Sequence, residues 1–236
     1  MTLLAVALDV PTLDEAVALA GRVAPHVDVF KVGLELLAAD AGHVVEKVAV
    51  LGRPVFADVK FHDIPRTVAA ASRTIARLPI EYFTVHTGGG ASMLDAALEG
   101  AAAGAADTGR ARPAILGVTV LTSLDRAALA ATGVDAEPVE LVRARAALAA
   151  TAGIDGLVCA APVLPAGRGV AAGLLRVTPG IRPGAHAPGS DDQARTATPA
   201  AAVAAGAGMV VVGRPVVAAP DPVAAAASIR ASLPPP

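Results

Sequence analysis

The segment FADVKFHDIPRT carries acidic and basic side chains in alternation, a pattern that can move protons. Asp58 and Lys60 are two residues apart, so on a β-strand their side chains point to the same side. Lys31, Asp9 and Asp63 follow or end neighbouring apolar runs and add further charges of both signs. A lone Asp–Lys pair is typical of a structural salt bridge, but this larger group indicates chemistry. Such an array would hold Lys60 protonated and fixed in direction, which suits a general acid better than a Schiff-base nucleophile.

A second group of residues is suited to binding a phosphate. In MVVVGRP, Gly213 allows close approach of the backbone to a ligand, and Arg214 stands where a short helix would begin. The segment TPGIRP adds Arg182 as a second guanidinium. On its own, Gly-Arg-Pro is also typical of a simple turn. Together the two segments predict a site for a phosphate monoester.

The remaining candidates are weaker. We interpret His86 as a structural or supporting residue, and we expect His62 to face away from the charged group. Cys159 ends an apolar run and has the character of a small buried hydrophobe. No set of His, Asp and Glu has the spacing of metal ligands, so we expect no metal site.

Short β-branched runs alternate with alanine-rich helical segments along the whole chain. The predicted strands are Leu3–Leu8, Val27–Val32, Pro54–Lys60, Tyr82–His86, Ala114–Val120, Gly156–Cys159, Leu174–Thr178 and Met209–Val212. The predicted helices are Leu13–Val23, Glu35–Val50, Pro65–Arg77, Ala91–Ala103, Val139–Thr151, Pro162–Ala171, Pro199–Ala205 and Pro222–Leu233. Strict alternation implies parallel strands joined by right-handed crossovers. An open doubly wound sheet would favour a glycine-rich turn after its first strand, and Asp-Val-Pro-Thr stands there instead.

We therefore predict an α/β fold, a (β/α)₈ TIM barrel that forms a single domain over residues 1–233. We expect a disordered tail at 234–236. Reactive residues of such barrels lie at the carboxyl ends of the strands, which is where the charged residues fall. The stretches Pro179–Gly189 and Thr122–Pro138 are predicted to be long loops, and long loops in compact domains are often functional.

Composition excludes several classes of protein. The formal net charge of −2 and the aromatic content of 2% argue against a nucleic-acid-binding groove. The single cysteine excludes an intramolecular disulfide. The N-terminal run lacks the basic start of a signal peptide, and no apolar stretch without breaks is long enough to span a membrane. We expect a soluble, cytoplasmic globular protein.

Nine segments, in order, resemble the orotidine 5′-phosphate decarboxylase family and are most similar to its short bacterial form. They are ALDV (7–10), KVGLELL (31–37), FADVKFHDIPRTV (56–68), VHTGGG (85–90), VTVLTS (118–123), DGLVC (155–159), VTPGIRP (177–183), DDQARTATPA (191–200) and VVGRPV (211–216). The resemblance covers essentially the whole chain, and DxKxxDIP is its most specific motif. It implies the metal-free and cofactor-free conversion of orotidine 5′-monophosphate to UMP and CO₂ in pyrimidine biosynthesis.

The resemblance also implies roles for individual residues. Asp9 would bind the ribose hydroxyls, and Lys31 would belong to the charged array. Asp58 would lie against the substrate carboxylate, and Lys60 would deliver a proton to C6 of the pyrimidine. Asp63 would enter the site of a partner subunit, so that a homodimer would be the catalytic unit.

Further substrate-binding residues follow from the same resemblance. Ile64 and Thr67 would belong to the ligand-lining segment after the third strand, and Thr122 and Ser123 would meet the nucleotide from the fifth loop. The phosphate would be held by Arg182, Gln193, Gly213 and Arg214, with the loop 183–192 closing over it.

Two alternatives remain open. One is a magnesium-dependent sugar-phosphate decarboxylase or aldolase of the same barrel superfamily, which would not be expected to carry the LTS and DDQ segments. The other is a catalytically silent barrel that binds nucleotides. Retaining a complete array of buried charges without chemistry would be costly, which argues against the silent barrel.

Overall fold

Eight short parallel strands close into a barrel at the centre of the protein. The computed structural model describes residues 2–167, 169–184 and 196–234. The strands are β1 (Leu3–Ala7), β2 (Val29–Val32), β3 (Val55–Phe61), β4 (Tyr82–His86), β5 (Ala114–Val118), β6 (Gly156–Val158), β7 (Leu175–Thr178) and β8 (Met209–Val212). Each strand pairs with the next one along the chain, and β8 pairs with β1. The predicted single-domain (β/α)₈ barrel is therefore confirmed.

Helices surround the barrel. They are α1 (Leu13–Val23), α2 (Leu34–Ala49), α3 (Pro65–Ile75), α4 (Ala91–Thr108), α5 (Arg126–Ala131), α6 (Pro138–Ala152), α7 (Leu164–Gly167), α8 (Pro199–Ala205), α9 (Arg214–Val217) and α10 (Pro222–Ser232). Side-chain caps begin several of them, because the first N–H groups of a helix have no partner inside it. Thr12 accepts from the N–H of Glu15 at 3.3 Å, and Asp221 accepts from two N–H groups at the start of α10.

Alternation along the strands separates two apolar clusters. The smaller cluster lies inside the barrel and consists of Ala5, Ala7, Val29, Phe56, Leu116, Val177, Met209 and Val211. The larger cluster lies between the strands and the helices and includes Leu4, Val6 and Phe30. Since successive strand residues point to opposite faces, both faces of the sheet must be apolar. The inner cluster fills the barrel below its mouth.

Several predicted bounds were wrong. Strand ends differ from the predictions by at most two residues, whereas α4 continues to Thr108 and ends at Gly109 with a φ of +65°. The predicted loop Thr122–Pro138 contains α5, which Asp125 caps by accepting from the N–H of Ala128 at 2.8 Å. The helix predicted over Pro162–Ala171 is a 3₁₀ turn followed by the short α7.

Some sequence-based expectations fall on residues outside the described ranges. These are Gln193, the larger part of the loop 183–192, and the last two residues of the tail. Within the described ranges, no helix is both long enough and apolar enough to cross a membrane.

Candidate active site

A cavity of about 300 Å³ opens at the carboxyl ends of the strands. The predicted site residues that line it are Asp9, Lys31, Asp58, Lys60, Thr122, Arg182, Gly213 and Arg214. Its floor is apolar and includes Ala7, Phe56, Val118, Val158, Val177 and Val211. Charged groups therefore stand above an apolar base, at the end of the barrel where the sequence places them.

Strand alternation explains how the charged residues reach the cavity. Lys31 comes two positions after the inward-facing Val29, and Asp58 comes two positions after the inward-facing Phe56. The register places Lys31 opposite Phe56, so the ends of β2 and β3 bring their side chains together. Asp9 follows β1 by the same spacing, two positions after Ala7.

The charged side chains form one connected array. The Nζ of Lys31 lies 3.4 Å from Oδ1 of Asp9 and 3.3 Å from Oδ2 of Asp58. The Nζ of Lys60 lies 2.7 Å from the same Oδ2 of Asp58. Asp58 is thus shared by two ammonium groups, and its side chain is only 13% exposed. The array predicted from the sequence is present with alternating signs.

Electrostatic interactions keep Asp58 and Lys31, the two central residues of the array, ionised. Burial alone would raise the pKa of Asp58, but the charges of Lys31 and Lys60 and the hydrogen bonds from Lys60 and Thr84 outweigh burial and lower it. Burial alone would lower the pKa of Lys31, but the charges of Asp58 and Asp9 outweigh burial and raise it. At neutral pH these two side chains therefore form a carboxylate–ammonium pair.

Lys60 has a backbone conformation that the sequence does not indicate. Its φ is +49°, in the left-handed region that non-glycine residues rarely adopt. At this point the pairing of β3 with β4 shifts register, between Ala57 and Phe61. The N–H of Lys60 donates to the hydroxyl of Thr84 at 2.8 Å. Rare backbone conformations of this kind are concentrated at functional sites.

The part of the cavity wall that follows β7 and β8 carries the groups predicted to bind phosphate. Arg182 is 6% exposed, and its Nη1 donates to the carbonyl of Ile181 at 3.0 Å. Arg214 begins α9, and Gly213 precedes it. A Cβ placed at Gly213 would lie 3.4 Å from Oδ2 of Asp9, so the two halves of the site are close there.

Four predicted site residues lie outside the cavity of a single chain. Asp63, Ile64, Thr67 and Ser123 are all exposed, and Ile64 is 62% exposed. The carboxylate of Asp63 accepts from the N–H of Ile64 at 2.6 Å. Their roles stay predictions, because those roles involve a bound nucleotide and, for Asp63, a partner subunit.

Two histidines near the array pack against each other. The rings of His62 and His86 are 5.3 Å apart, and neither residue lines the cavity. The pKa of His86 is lowered to about 4, first by burial and then by the charges of His62, Lys60 and Arg145. Within the described ranges, no cluster of three or more His, Cys, Asp or Glu side chains is suited to a metal ion.

Sequence reasoning missed some residues of the site. Cys159 is buried as expected, but it also lines the cavity. Thr84 was not singled out, although it is fully buried and its hydroxyl donates to Oδ1 of Asp58 at 3.0 Å. The available signal was its place two residues after Tyr82, which packs against the inner cluster, so alternation directs Thr84 inward.

Known proteins resemble this chain over nearly its whole length. Residues 2–229 match the model of the orotidine 5′-phosphate decarboxylase / HUMPS family. An orotidine 5′-phosphate decarboxylase of Anaeromyxobacter sp. (strain K) is 50% identical over 228 residues, which are 96% of each chain. One from Thermobifida fusca (strain YX) is 47% identical over 232 residues, 98% of this chain and 95% of that one. The crystal structure of orotidine 5′-phosphate decarboxylase from Lactobacillus acidophilus has a TM-score of 0.86 at 32% identity and covers all of both chains. Together with the barrel and its charged array, these matches show that the chain belongs to the orotidine 5′-phosphate decarboxylase / HUMPS family.

Proposed function

We propose that this protein decarboxylates orotidine 5′-monophosphate to UMP and CO₂, a step of pyrimidine biosynthesis. The observation that carries the proposal is the array of Asp9, Lys31, Asp58 and Lys60 at the mouth of the barrel. Relatives at about 50% identity over nearly the full length bear the name of this activity. The proposal includes a cytoplasmic location, because a phosphorylated nucleotide does not cross a lipid bilayer unaided.

The reaction requires stabilisation of negative charge at one carbon atom. The bond from C6 of the pyrimidine to its carboxylate breaks, CO₂ leaves, and the electron pair stays on C6. The ammonium of Lys60 donates a proton to C6, and the resulting amine takes a proton from water. A cation that is already in place stabilises the developing charge without reorganisation. Asp58, at 2.7 Å from Nζ, directs that cation.

Phosphate binding where the cavity wall follows β7 and β8 would contribute to the rate. Arg182, Gly213 and Arg214 line that part of the cavity, and we propose that Gln193 joins them. Binding energy from a group that does not react can support closure and correct orientation at the reacting carbon. Arg214→Ala is therefore expected to weaken turnover of the nucleotide far more than turnover of the phosphate-free nucleoside.

A homodimer would complete the site through Asp63. An apolar groove of about 620 Å³ runs between α2 and α3, and its walls include Leu37, Phe61 and Thr67. Leu34 at its edge is 54% exposed, and Ile64, next to Asp63 in the chain, is 62% exposed. Apolar surface of this extent beside a candidate site residue fits a second copy of the chain.

The test is the ultraviolet absorbance of orotidine 5′-monophosphate incubated with purified protein and excess EDTA. We expect rapid decay with the wild-type protein and none with Lys60→Ala, which should still bind UMP. Decay that persists in Lys60→Ala would contradict the assignment of the proton donor. No decay with folded wild-type protein would favour the magnesium-dependent sugar-phosphate enzyme or the silent barrel, which added metal and sugar phosphates would then distinguish.

A further inference from the structure

Thr84 is a polar residue in the middle of strand β4, between two apolar residues. Its neighbours Phe83 and Val85 are fully buried, and Thr84 itself is 0% exposed. Its side chain points toward β3, where Asp58 and Lys60 lie. Thr84 does not line the cavity, so a bound nucleotide would not be expected to touch it.

One hydroxyl group connects Asp58 with Lys60, which are adjacent members of the array. Oγ1 of Thr84 donates to Oδ1 of Asp58 at 3.0 Å and accepts from the N–H of Lys60 at 2.8 Å. A threonine hydroxyl has one hydrogen and two lone pairs, so it can make both bonds at once. Both ammonium groups contact the other carboxylate oxygen, Oδ2. Oδ1 is thus the oxygen that fixes Asp58 to the barrel wall.

The second bond of the Thr84 hydroxyl is made to the backbone at an irregular position of β3. Lys60 has its φ at +49°, and the β3–β4 register shifts across this position. A left-handed lysine is unfavourable unless its surroundings hold it in place. The hydroxyl of Thr84 supplies a partner for the N–H of Lys60 at this irregularity.

We propose that Thr84 is a positioning residue that fixes the Lys60 backbone and the Asp58 carboxylate relative to each other, so that the Lys60 ammonium is aimed at the reacting carbon. The inference rests on the proposed decarboxylase function. Thr84 acts through two other residues, and a misplacement of about 1 Å in such a group can lower a rate roughly a hundredfold.

Three variants separate this role from ordinary core packing. Thr84→Val keeps the shape and removes the hydroxyl, whereas Thr84→Ser keeps the hydroxyl and removes a methyl group. Thr87→Val is the matched control, because Thr87 is also fully buried and its hydroxyl donates to the carbonyl of Val118 at 2.9 Å, outside the array. Thr84→Val removes the two hydrogen bonds of the Thr84 hydroxyl, and Thr87→Val removes the one that the Thr87 hydroxyl makes outside the array.

The kinetic test measures kcat and KM for orotidine 5′-monophosphate with all three variants. We expect Thr84→Val to lower kcat by about 10- to 100-fold with KM changed less than about threefold. Thr84→Ser should stay within about threefold of the wild type, and Thr87→Val should keep its kcat. The proposal is overturned if Thr84→Val keeps the wild-type kcat, or if Thr84→Ser is as impaired as Thr84→Val.

A second measurement does not depend on turnover. Hydrogen exchange of the Lys60 amide, followed by NMR in the substrate-free protein, should accelerate at least about tenfold in Thr84→Val and not in Thr87→Val. Unchanged protection of that amide would overturn the proposal. If the wild-type protein failed to turn over the nucleotide, the proposed function would fall, and the amide measurement would still decide whether Thr84 holds Lys60. If Thr84→Val did not fold, Thr84→Ser would remain a test, because retaining the hydroxyl must retain kcat.

Discussion

Gly33 follows β2 and lies beside Asp9 and Lys31 of the charged array. A Cβ added there would lie 2.8 Å from Oδ1 of Asp9 and 3.3 Å from Nζ of Lys31. Its φ of −90° is open to any residue, so alanine would strain no backbone dihedral and would instead displace the Asp9 carboxylate. If Asp9 binds the ribose, Gly33→Ala should raise KM roughly tenfold, with the free energy of unfolding lowered by no more than about 1 kcal/mol.

Steady-state kinetics and denaturant unfolding of Gly33→Ala check this expectation. Gly42→Ala, inside the helix α2 that Gly33 precedes, is the control, because the nearest atom to its added Cβ is 3.9 Å away. An unchanged KM in Gly33→Ala would contradict a substrate-binding role for Asp9.

The lowered pKa of His86, which lies near the charged array, makes the stability of the folded protein depend on pH in the acid range. Its pKa is about 4 in the folded protein, because burial and nearby positive charges disfavour the protonated ring, against 6.5 when unperturbed. Between pH 6.5 and pH 4 the unfolded chain binds a proton here that the folded protein does not. The contribution of His86 to the free energy of unfolding is thus fully present above pH 6.5 and falls with pH, by at most about 1.4 kcal/mol per pH unit.

We therefore expect His86→Phe, which keeps a ring against His62, to lose less stability between pH 7.5 and pH 4.5 than the wild type. Urea unfolding at both pH values measures the difference. His43→Phe makes the same change on the exposed surface of α2 and serves as the control. If His86→Phe and the wild type had the same pH dependence, His86 would not be the group responsible.

At the scale of elements, apolar periodicity made the barrel predictable. Strands that are buried on both faces need continuous apolar runs, which the sequence shows. A polar residue two positions after the last inward-facing apolar residue of a strand points inward at the mouth of the barrel. This reasoning correctly located Lys31 and Asp58. It could not predict the left-handed Lys60, because lysine has no preference for positive φ and the register shift depends on β4. Thr84 was missed because a single threonine in an apolar strand has the same pattern as a core residue.

The short helix α5 shows a different limit of sequence reasoning. It has six residues, too few for a helical period to stand out from the surrounding loop. Its start depends on the Asp125 cap and on ion pairs from Arg126 to Asp135 and Glu137, which join residues 9 and 11 positions apart. Contacts at that separation are visible only once the chain is folded.

Helices α3 and α4 pack with their backbones in close approach, and glycines make this possible. A Cβ at Gly104 would lie 2.1 Å from the carbonyl oxygen of Arg73, and one at Gly100 would lie 2.2 Å from that of Ala69. Gly104→Ala must separate the helices, so we expect it to lower the free energy of unfolding by about 2–3 kcal/mol. Gly21→Ala in α1, with no atom within 4 Å of the added Cβ, should raise it by about 0.5–1 kcal/mol.

Chemical denaturation of these two variants tests the packing argument. Both variants replace a glycine inside a helix with alanine, so the gain in helix propensity is the same in both. They differ in whether the backbone of a neighbouring helix lies against the added Cβ. If Gly104→Ala were as stable as Gly21→Ala, the close approach of α3 and α4 would not be a constraint on the fold.

At the scale of the whole molecule, the cavity of one chain contains the charged array together with Arg182 and Arg214, but Asp63 lies outside it. Asp63 lies two residues before α3, which forms one wall of the apolar groove. If a second copy covers that groove, the two sites of the dimer share residues, and each site takes its Asp63 from the opposite chain. A two-fold arrangement makes this exchange reciprocal.

Shared sites predict recovery of activity from two inactive proteins. Lys60→Ala and Asp63→Ala are each expected to be nearly inactive. When equal amounts of the two proteins exchange subunits at random, mixed dimers should make up about half of all dimers. Each mixed dimer contains one site with both residues intact, so activity should rise toward about a quarter of the wild-type value. Lys60→Ala mixed with Asp58→Ala is the control, because both residues act within one chain and no intact site can form. Exchange is followed by native mass spectrometry with one protein labelled by a heavy isotope. Mixed dimers without recovered activity would show that Asp63 serves its own chain or none, and the dimer would then have no part in completing the site.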